Sequence, residues 1–430
     1  MDAALIILLF LVLMLIGIPV GTALGVAGAA TLIFFDLGFE MIGVNFIAGA
    51  ASFPLLAIPF FVLAGVILQR AGLAAIMARF FELLVGGRTG GLAMVAILTC
   101  MFWGALSGSG PATTAAVGLI MIAPMIRQGY DRHFAAATVA NASDLSIVIP
   151  PSIAFIIYGS ITSVPVGALF LAGIIPGLLT GLALLVTAGL ISRRCHYRGQ
   201  PFTRQKGELW HTFRRSFWAL MTPVIILGGI YAGMFTPTEA AVVAVFYSLF
   251  VAGVIYRTLS FRDLIDIFVE AAVTTSVIMF IVVFAGIFSW AASTTGLIDS
   301  MARWIVHYAP NAVVMILLIN FLLLFLGMFI DAISISYLVM PILIPVLQHF
   351  NVDPVWYGVI FISALAIGQA TPPVGVNLFT AANLIDSDVD RVARASIPFV
   401  LAAVGVLVLI SVVPILSLWL PRMAKAYSYP

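Results

Sequence analysis

The chain has 430 residues, 63% of them hydrophobic and 8% charged, with a net charge of +2 and a mean hydropathy of +1.21. A soluble domain carries roughly 25% charged residues, so this composition excludes a water-soluble fold and predicts a chain that lives in a bilayer. The small net charge argues against a nucleic-acid partner, and the sequence holds no Gly-x-x-x-x-Gly-Lys-Ser/Thr stretch to bind ATP.

Residues 3–35 open the chain. Met1 and Asp2 supply no positive segment, and the apolar run continues past Gly17 and Pro19 to Phe35, which predicts retained structure and not a secretory signal. Further apolar stretches lie near 53–69, 89–126, 134–158, 165–192, 217–256, 264–294, 310–348, 355–382 and 395–420. At about 20 residues per crossing they predict roughly eleven or twelve passages, and their continuity predicts helices, not barrel strands. The densest basic segment carries Arg193, Arg194, Arg198, Arg204, Lys206, Arg214 and Arg215, and the positive-inside rule places it in the cytoplasm. Counting outward puts Arg257 and Arg262 inside, and the amino terminus outside if residues 3–35 cross twice. Leu73–Leu84 and Leu297–His307 are amphipathic and suit either the membrane interface or an ordinary loop.

The run from Leu63 to Ile156 returns, diverged, about 222 residues later. Met77-Ala78-Arg79 recurs as Met301-Ala302-Arg303, Gly104 matches Gly327, Pro124 matches Pro345, Asp131 matches Asp353, and Pro150-Pro151 matches Pro372-Pro373. The span at 264–294 leaves the cytoplasm, whereas its counterpart at 53–69 enters it ahead of Arg70, Arg79 and Arg88. The two repeats are therefore expected to be inverted, a pattern of secondary transporters.

Each repeat is interrupted twice. Gly104–Thr114 sits midway in an apolar stretch bounded by Arg88 and Arg127, long enough for a re-entrant hairpin plus a crossing. Its glycines, Pro111 and hydroxyls are poor helix material, and broken backbone at membrane depth is tolerated where it is buried in protein or lines a cavity; small-residue helix packing enriches the same residue types. At Asn141–Ser152 the prolines remove amide donors, so Pro150 and Pro151 release the carbonyls of Ser146 and Ile147. Such oxygens suit a desolvated Na⁺, while a relieved proline kink is the alternative. In the second repeat Gly327–Ser334 takes the hairpin position, and Pro372 and Pro373 release Gly368 and Gln369. Two equivalent cation sites follow.

Asp144, just before the first diproline, and Asp331, in the second hairpin, are intramembrane acids that could bind a cation, accept a proton or cap a half-helix. Glu239 fits a capping box with Thr236 as cap and Pro237 at the first helical position. Cys100 lies in an apolar span and Cys195 in the basic loop, so neither a disulfide nor a metal site is expected, and the five scattered histidines suit structural or interfacial roles. Ser107 and Ser109 have no histidine nearby in sequence and no Gly-x-Ser-x-Gly setting, which argues against a hydrolase. A channel would not need inverted repeats with paired hairpins.

At these residues the chain resembles a family, the large membrane subunit of the tripartite ATP-independent periplasmic (TRAP) transporters. The segments that carry the resemblance are Ile16-Gly17-Ile18-Pro19-Val20, Gly104–Thr114, Pro150-Pro151-Ser152 with Ile156-Ile157-Tyr158-Gly159, Phe235–Ala241, Gly327–Asp331 and Ala370–Phe379. The family often has a proline-containing turn after the position of Asp331, where this chain has Ala332-Ile333-Ser334-Ile335-Ser336. The resemblance implies an all-α polytopic membrane protein of two inverted repeats, with an elevator-type transport domain moving against a scaffold in the bacterial inner membrane. It further implies Na⁺-coupled uptake of an organic acid, a small four-helix membrane subunit that braces the scaffold, a periplasmic binding protein that delivers substrate, and contact with membrane lipid. By motif position one Na⁺ would be held by Ser107, Ser146, Ile149 and Pro151, and a second by Gly327, Gly368, Thr371 and Val374. Substrate would lie near Ser109, Thr113, Ser334 and Asn377. The expected division is scaffold and first arm at 1–88, transport repeat at 89–164, scaffold, basic loop and second arm at 165–308, transport repeat at 309–390 and a scaffold helix at 391–430. Composition alone suits a self-sufficient Na⁺ or H⁺ symporter equally well, and only the resemblance argues for partners.

Overall fold

The computed structural model describes residues 3–38, 40–197, 207–424 and 426–427; Arg198, Arg204 and Lys206 of the basic segment lie outside them. The chain begins with three short helices, α1 (Ala3–Leu15), α2 (Val20–Phe34) and α3 (Glu40–Ala50). After a 3₁₀ turn at Phe53–Leu56 come α4 (Ala57–Arg70) and the arm helix α5 (Leu73–Val85). Helices α6 (Gly91–Ser107) and α7 (Gly110–Arg127) form the first hairpin. An interrupted span follows, made of α8 (Arg132–Ala142), the single turn α9 (Leu145–Val148) and α10 (Ile153–Thr162). Next are α11 (Val166–Arg194), α12 (Glu208–Tyr231), α13 (Pro237–Phe250), which continues into a π turn at Val251–Ile255, and the 34-residue α14 (Phe261–Thr294). The second repeat runs through the arm α15 (Leu297–Tyr308), the hairpin α16 (Ala312–Gly327) and α17 (Ala332–His349), and the interrupted span α18 (Pro354–Gly368) and α19 (Val376–Asn383). The chain closes with α20 (Val389–Val412) and α21 (Ile415–Met423).

Among the described residues eight helical segments are long and apolar enough to cross a membrane alone, fewer than the eleven or twelve passages expected. The difference lies partly in shorter apolar helices such as α6, α16 and α18, with 17, 16 and 15 residues, and partly in the 24-residue α12, which is outside the eight. Shortness recurs at the amino end. The 13 residues of α1 and 15 of α2 reach about 20 Å, short of a hydrocarbon core of about 30 Å. They form a hairpin, so the two crossings on which an outside amino terminus is conditional would each be short. Helix α2 runs beside the outer part of α14, with Gly21 against Phe280, Gly25 against Phe284 and Gly28 against Phe288, and α1 returns antiparallel with Phe10 on Phe288.

The repeats match in local chemistry. Both arms start after a left-handed glycine, Gly72 and Gly296, each at φ +72°, a conformation glycine adopts without a Cβ penalty. The side chains of Asp131 and Asp353 each accept two backbone N–H bonds at the start of α8 and α18. The Pro150–Pro151 and Pro372–Pro373 bonds are both cis. The repeats also run in opposite senses. Arg70 at the end of α4 pairs with Glu270 near the start of α14 at 2.7 Å, so α5 leaves from the basic face and α15 from the opposite one.

Two bodies result. In one, α2, α3 and α4 pack along α14, and α12 and α13 pack on α5 and α4. The other holds the hairpins and interrupted spans. Helices α11 and α20 pack against this second body: α11 lies on α6, α18, α20 and α21, and α20 on α8 and α18. Small residues on α11 make this possible, since a Cβ at Gly173 would come within 2.7 Å of the Val148 carbonyl oxygen and one at Gly177 within 2.6 Å of the Ile149 side chain. The bodies meet where α17 touches α14 and α15 and where α5 touches α6.

Candidate functional site

In each repeat the carboxyl end of the first hairpin helix lies against the break. A Cβ at Gly104 would sit 2.4 Å from Ser146 Cα, and one at Gly327 would sit 3.1 Å from Gly368 Cα. These distances leave no room for a side chain, so glycine is what lets the backbones meet. The first site therefore gathers the end of α6 with Ser107, the turn at Ser146, and Pro151, whose carbonyl oxygen would lie 3.5 Å from a Cβ at Gly108. Ile149 closes α9 in an extended conformation. The second site gathers Gly327 and Gly368, with Thr371 and Val374 in the segment that follows; the Gly375 N–H donates to the Met328 carbonyl at 2.9 Å and ties that segment to the hairpin.

The carbonyls expected to be released are partly satisfied by their own surroundings. The Ser152 hydroxyl donates to Ile147 O at 2.5 Å, the Thr371 N–H to Gly368 O at 3.0 Å and the Asn377 N–H to Gln369 O at 3.0 Å. Each oxygen keeps a second lone pair. Ser146 directs its N–H and hydroxyl to Ser143 O, and its own carbonyl meets no donor among the described residues.

Between the hairpin tips and α14 lies a cavity of about 380 Å³. The first residues of four helices line it: Gly110 of α7, Ile153 of α10, Ala332 of α17 and Val376 of α19. At α17, Asp331 caps the helix, accepting Ile333 N–H and Ser334 N–H at 3.0 Å and the Ser334 hydroxyl at 2.6 Å. Of the three roles open to Asp331, this one is observed. The other three helices have no side-chain cap, because Ser152 spends its hydroxyl on Ile147 and Gly375 has none. The first-turn N–H groups of α7 and α10 and the positive dipole ends of all three helices favour an anion, while at α19 the Asn377 N–H is already given to Gln369 O. No lysine or arginine lines the cavity.

Of the four expected substrate contacts, only Ser109 lines this space. Thr113, Ser334 and Asn377 are buried behind its wall. Thr113 bonds the Ser107 hydroxyl at 2.7 Å, Ser334 bonds Asp331, and Asn377 Nδ2 donates to Asp144 Oδ1 at 2.9 Å. That last bond joins the two repeats. Beside it, Asn377 Oδ1 and Gln369 Oε1 are buried with no hydrogen-bond partner among the described residues, and both reach the start of α7 only because residue 110 lacks a Cβ. Sequence reasoning missed Gln369 as a wall residue and missed the far wall, Val273, Thr274, Val277 and Ile278 of α14. The one available signal was the polar triplet Thr274-Thr275-Ser276 inside an apolar span.

An all-helical, multi-pass membrane protein of two inverted repeats, each with a hairpin and a broken span, is the class these features define. The chain belongs to the family whose model is described as the tripartite ATP-independent periplasmic transporter, DctM component, which matches residues 7–416. It is 37% identical over 411 residues to the isethionate TRAP transporter permease protein DctMQ of Oleidesulfovibrio alaskensis, covering 95% of this chain and 65% of that longer protein. It is 37% identical over 401 residues to the C4-dicarboxylate TRAP transporter large permease protein DctM of Pseudomonas aeruginosa, covering 93% of this chain and 94% of the relative. In fold it is similar to the YdaH transporter of Alcanivorax borkumensis, with a TM-score of 0.64 and 17% identity over 87% of both chains. The family consists of permeases, not enzymes, and the chain is a multi-pass protein of the bacterial inner membrane.

Proposed function

We propose that the chain imports a small organic acid (a carboxylate, sugar acid or sulfonate) by Na⁺ symport. A periplasmic binding protein delivers the substrate, and a small four-helix membrane subunit braces the scaffold. The single observation that carries this reading is the cavity between the hairpin tips: it is open to three uncapped helix N-termini, yet has no basic side chain. An anion there is met by backbone dipoles, and cations close by would complete its charge compensation. The cation sites have their own support. Helices α16 and α18 bring their carboxyl ends together at Gly327 and Gly368, and two ends that each carry about half a negative charge repel unless a cation lies between them.

The names of two relatives carry a sulfonate and a dicarboxylate, which supports an organic acid as the cargo class. Packing suggests that the moving body comprises α6–α11 and α16–α21, with α2–α4 and α12–α14 as scaffold. The test is uptake of labelled organic acids into proteoliposomes under an inward Na⁺ gradient, with the small subunit and the binding protein each present or omitted. Uptake that needs the gradient and both partners supports the proposal. Uptake by this chain alone would make it a self-sufficient symporter, and flux indifferent to the gradient would point to a channel.

A further inference from the structure

Away from both sites, one cleft joins unneutralised positive charge to an apolar track. It lies where the loop between α5 and α6 meets the last turns of α11 and has a volume of about 670 Å³. Arg88 and Arg193 stand at its mouth, and Met94, Val186 and Leu190 line its length. Both guanidinium groups are exposed, and the ion pairs among the described residues involve neither. The two sides are tied together, since the Gly90 N–H donates to the Tyr197 carbonyl at 3.0 Å. Both arginines therefore border one cleft whose two walls are joined through the backbone, on the face the basic segment assigns to the cytoplasm.

The apolar part extends well beyond the arginines. Leu178, Leu182, Val186 and Leu190 recur every four residues along one face of α11, each more than half exposed, over about 18 Å of helix. Gly189 beside them leaves the cleft open, with only Met94 near the place of its absent side chain. A soluble anion would use the arginines and leave this track bare. A molecule with an anionic head and an alkyl chain uses both.

We propose that this cleft binds an anionic phospholipid of the cytoplasmic leaflet, its phosphate between Arg88 and Arg193 and an acyl chain along Leu190, Val186 and Leu182. The full-length protein, purified in mild detergent, would be titrated with phosphatidylglycerol, with phosphatidylcholine, and with phosphatidylglycerol against inorganic phosphate, and lipid binding read by native mass spectrometry. Phosphatidylglycerol should bind in preference to phosphatidylcholine, with affinity falling about five-fold for Arg88→Gln or Arg193→Gln and roughly 25-fold for both. The Arg88→Lys/Arg193→Lys pair should keep most of the affinity. Gly189→Leu, which narrows the track and leaves the charge intact, should weaken binding as well. Equal binding of the two lipids, wild-type affinity in the double glutamine variant, or displacement by inorganic phosphate would each overturn the proposal, the last by showing a site for the head group alone.

Discussion

Asp331, Glu239 and Asp144 show how differently three acids in one chain are used. Glu239 is a structural cap, as its Thr-Pro-x-Glu context suggests, with both halves of the capping box formed. Asp331 was legible as an intramembrane acid with a cap among its three open roles, and only the structure, in which it accepts its own downstream N–H groups, selects the cap over a ligand or a proton acceptor. Asp144 was recognised without its partner, Asn377, which is 233 residues away and invisible to local pattern. Replacing Asn377 by Leu leaves a buried carboxyl without its recorded donor, a loss of about 1–3 kcal/mol. We expect a lower melting temperature and impaired transport. A double-mutant cycle with Asp144→Asn should be non-additive, as coupled neighbours are; strict additivity would show that the tie carries no coupling. At the first proposed cation site, Ser107→Ala should shift the Na⁺ dependence of uptake to higher concentration with expression unchanged, and an unaltered Na⁺ curve would count against Ser107 as a ligand.

Among the elements, the broken spans were the most legible, because proline removes a donor whatever the fold around it. Less legible was what the freed oxygens do next: Ser152, Thr371 and Asn377 return donors to three of them, a local rescue that needs the three-dimensional turn to be seen. The close contact of hairpin and break is sharper still. A Cβ at Gly368 would fall 2.7 Å from Gly327 Cα, backbone that cannot swing aside, so Gly368→Ala should cost about 1–3 kcal/mol through overpacking and abolish Na⁺-stimulated uptake. Thr236→Ala offers the contrast. Loss of the cap on α13 should cost about 1 kcal/mol, visible as a lower melting temperature, while the Na⁺ dependence of transport stays as in wild type.

For the whole molecule, the duplication and its inversion could be read from matched residues and from the placement of arginines. The number of crossings could not, because half-helices are as apolar as full spans, and neither could the company that α11 and α20 keep, which depends on small residues packing against a break distant in sequence. If the hairpin body moves against α14, joining the two should stop transport. With Cys100 and Cys195 first replaced, a cysteine pair at Val277 and Ile333, residues that line the same cavity from the two bodies, should block uptake when bridged by a bifunctional reagent and restore it on cleavage; full activity in the bridged protein would rule out that movement. The most direct measurement is equilibrium binding of the transported acid to the purified protein across a range of Na⁺ concentrations, with choline holding ionic strength constant. Because the cavity has no basic side chain, affinity is expected to fall by about ten-fold or more when Na⁺ is withdrawn, with a reciprocal gain in Na⁺ affinity when the acid is bound. Equal affinity in choline would contradict Na⁺ coupling at this site.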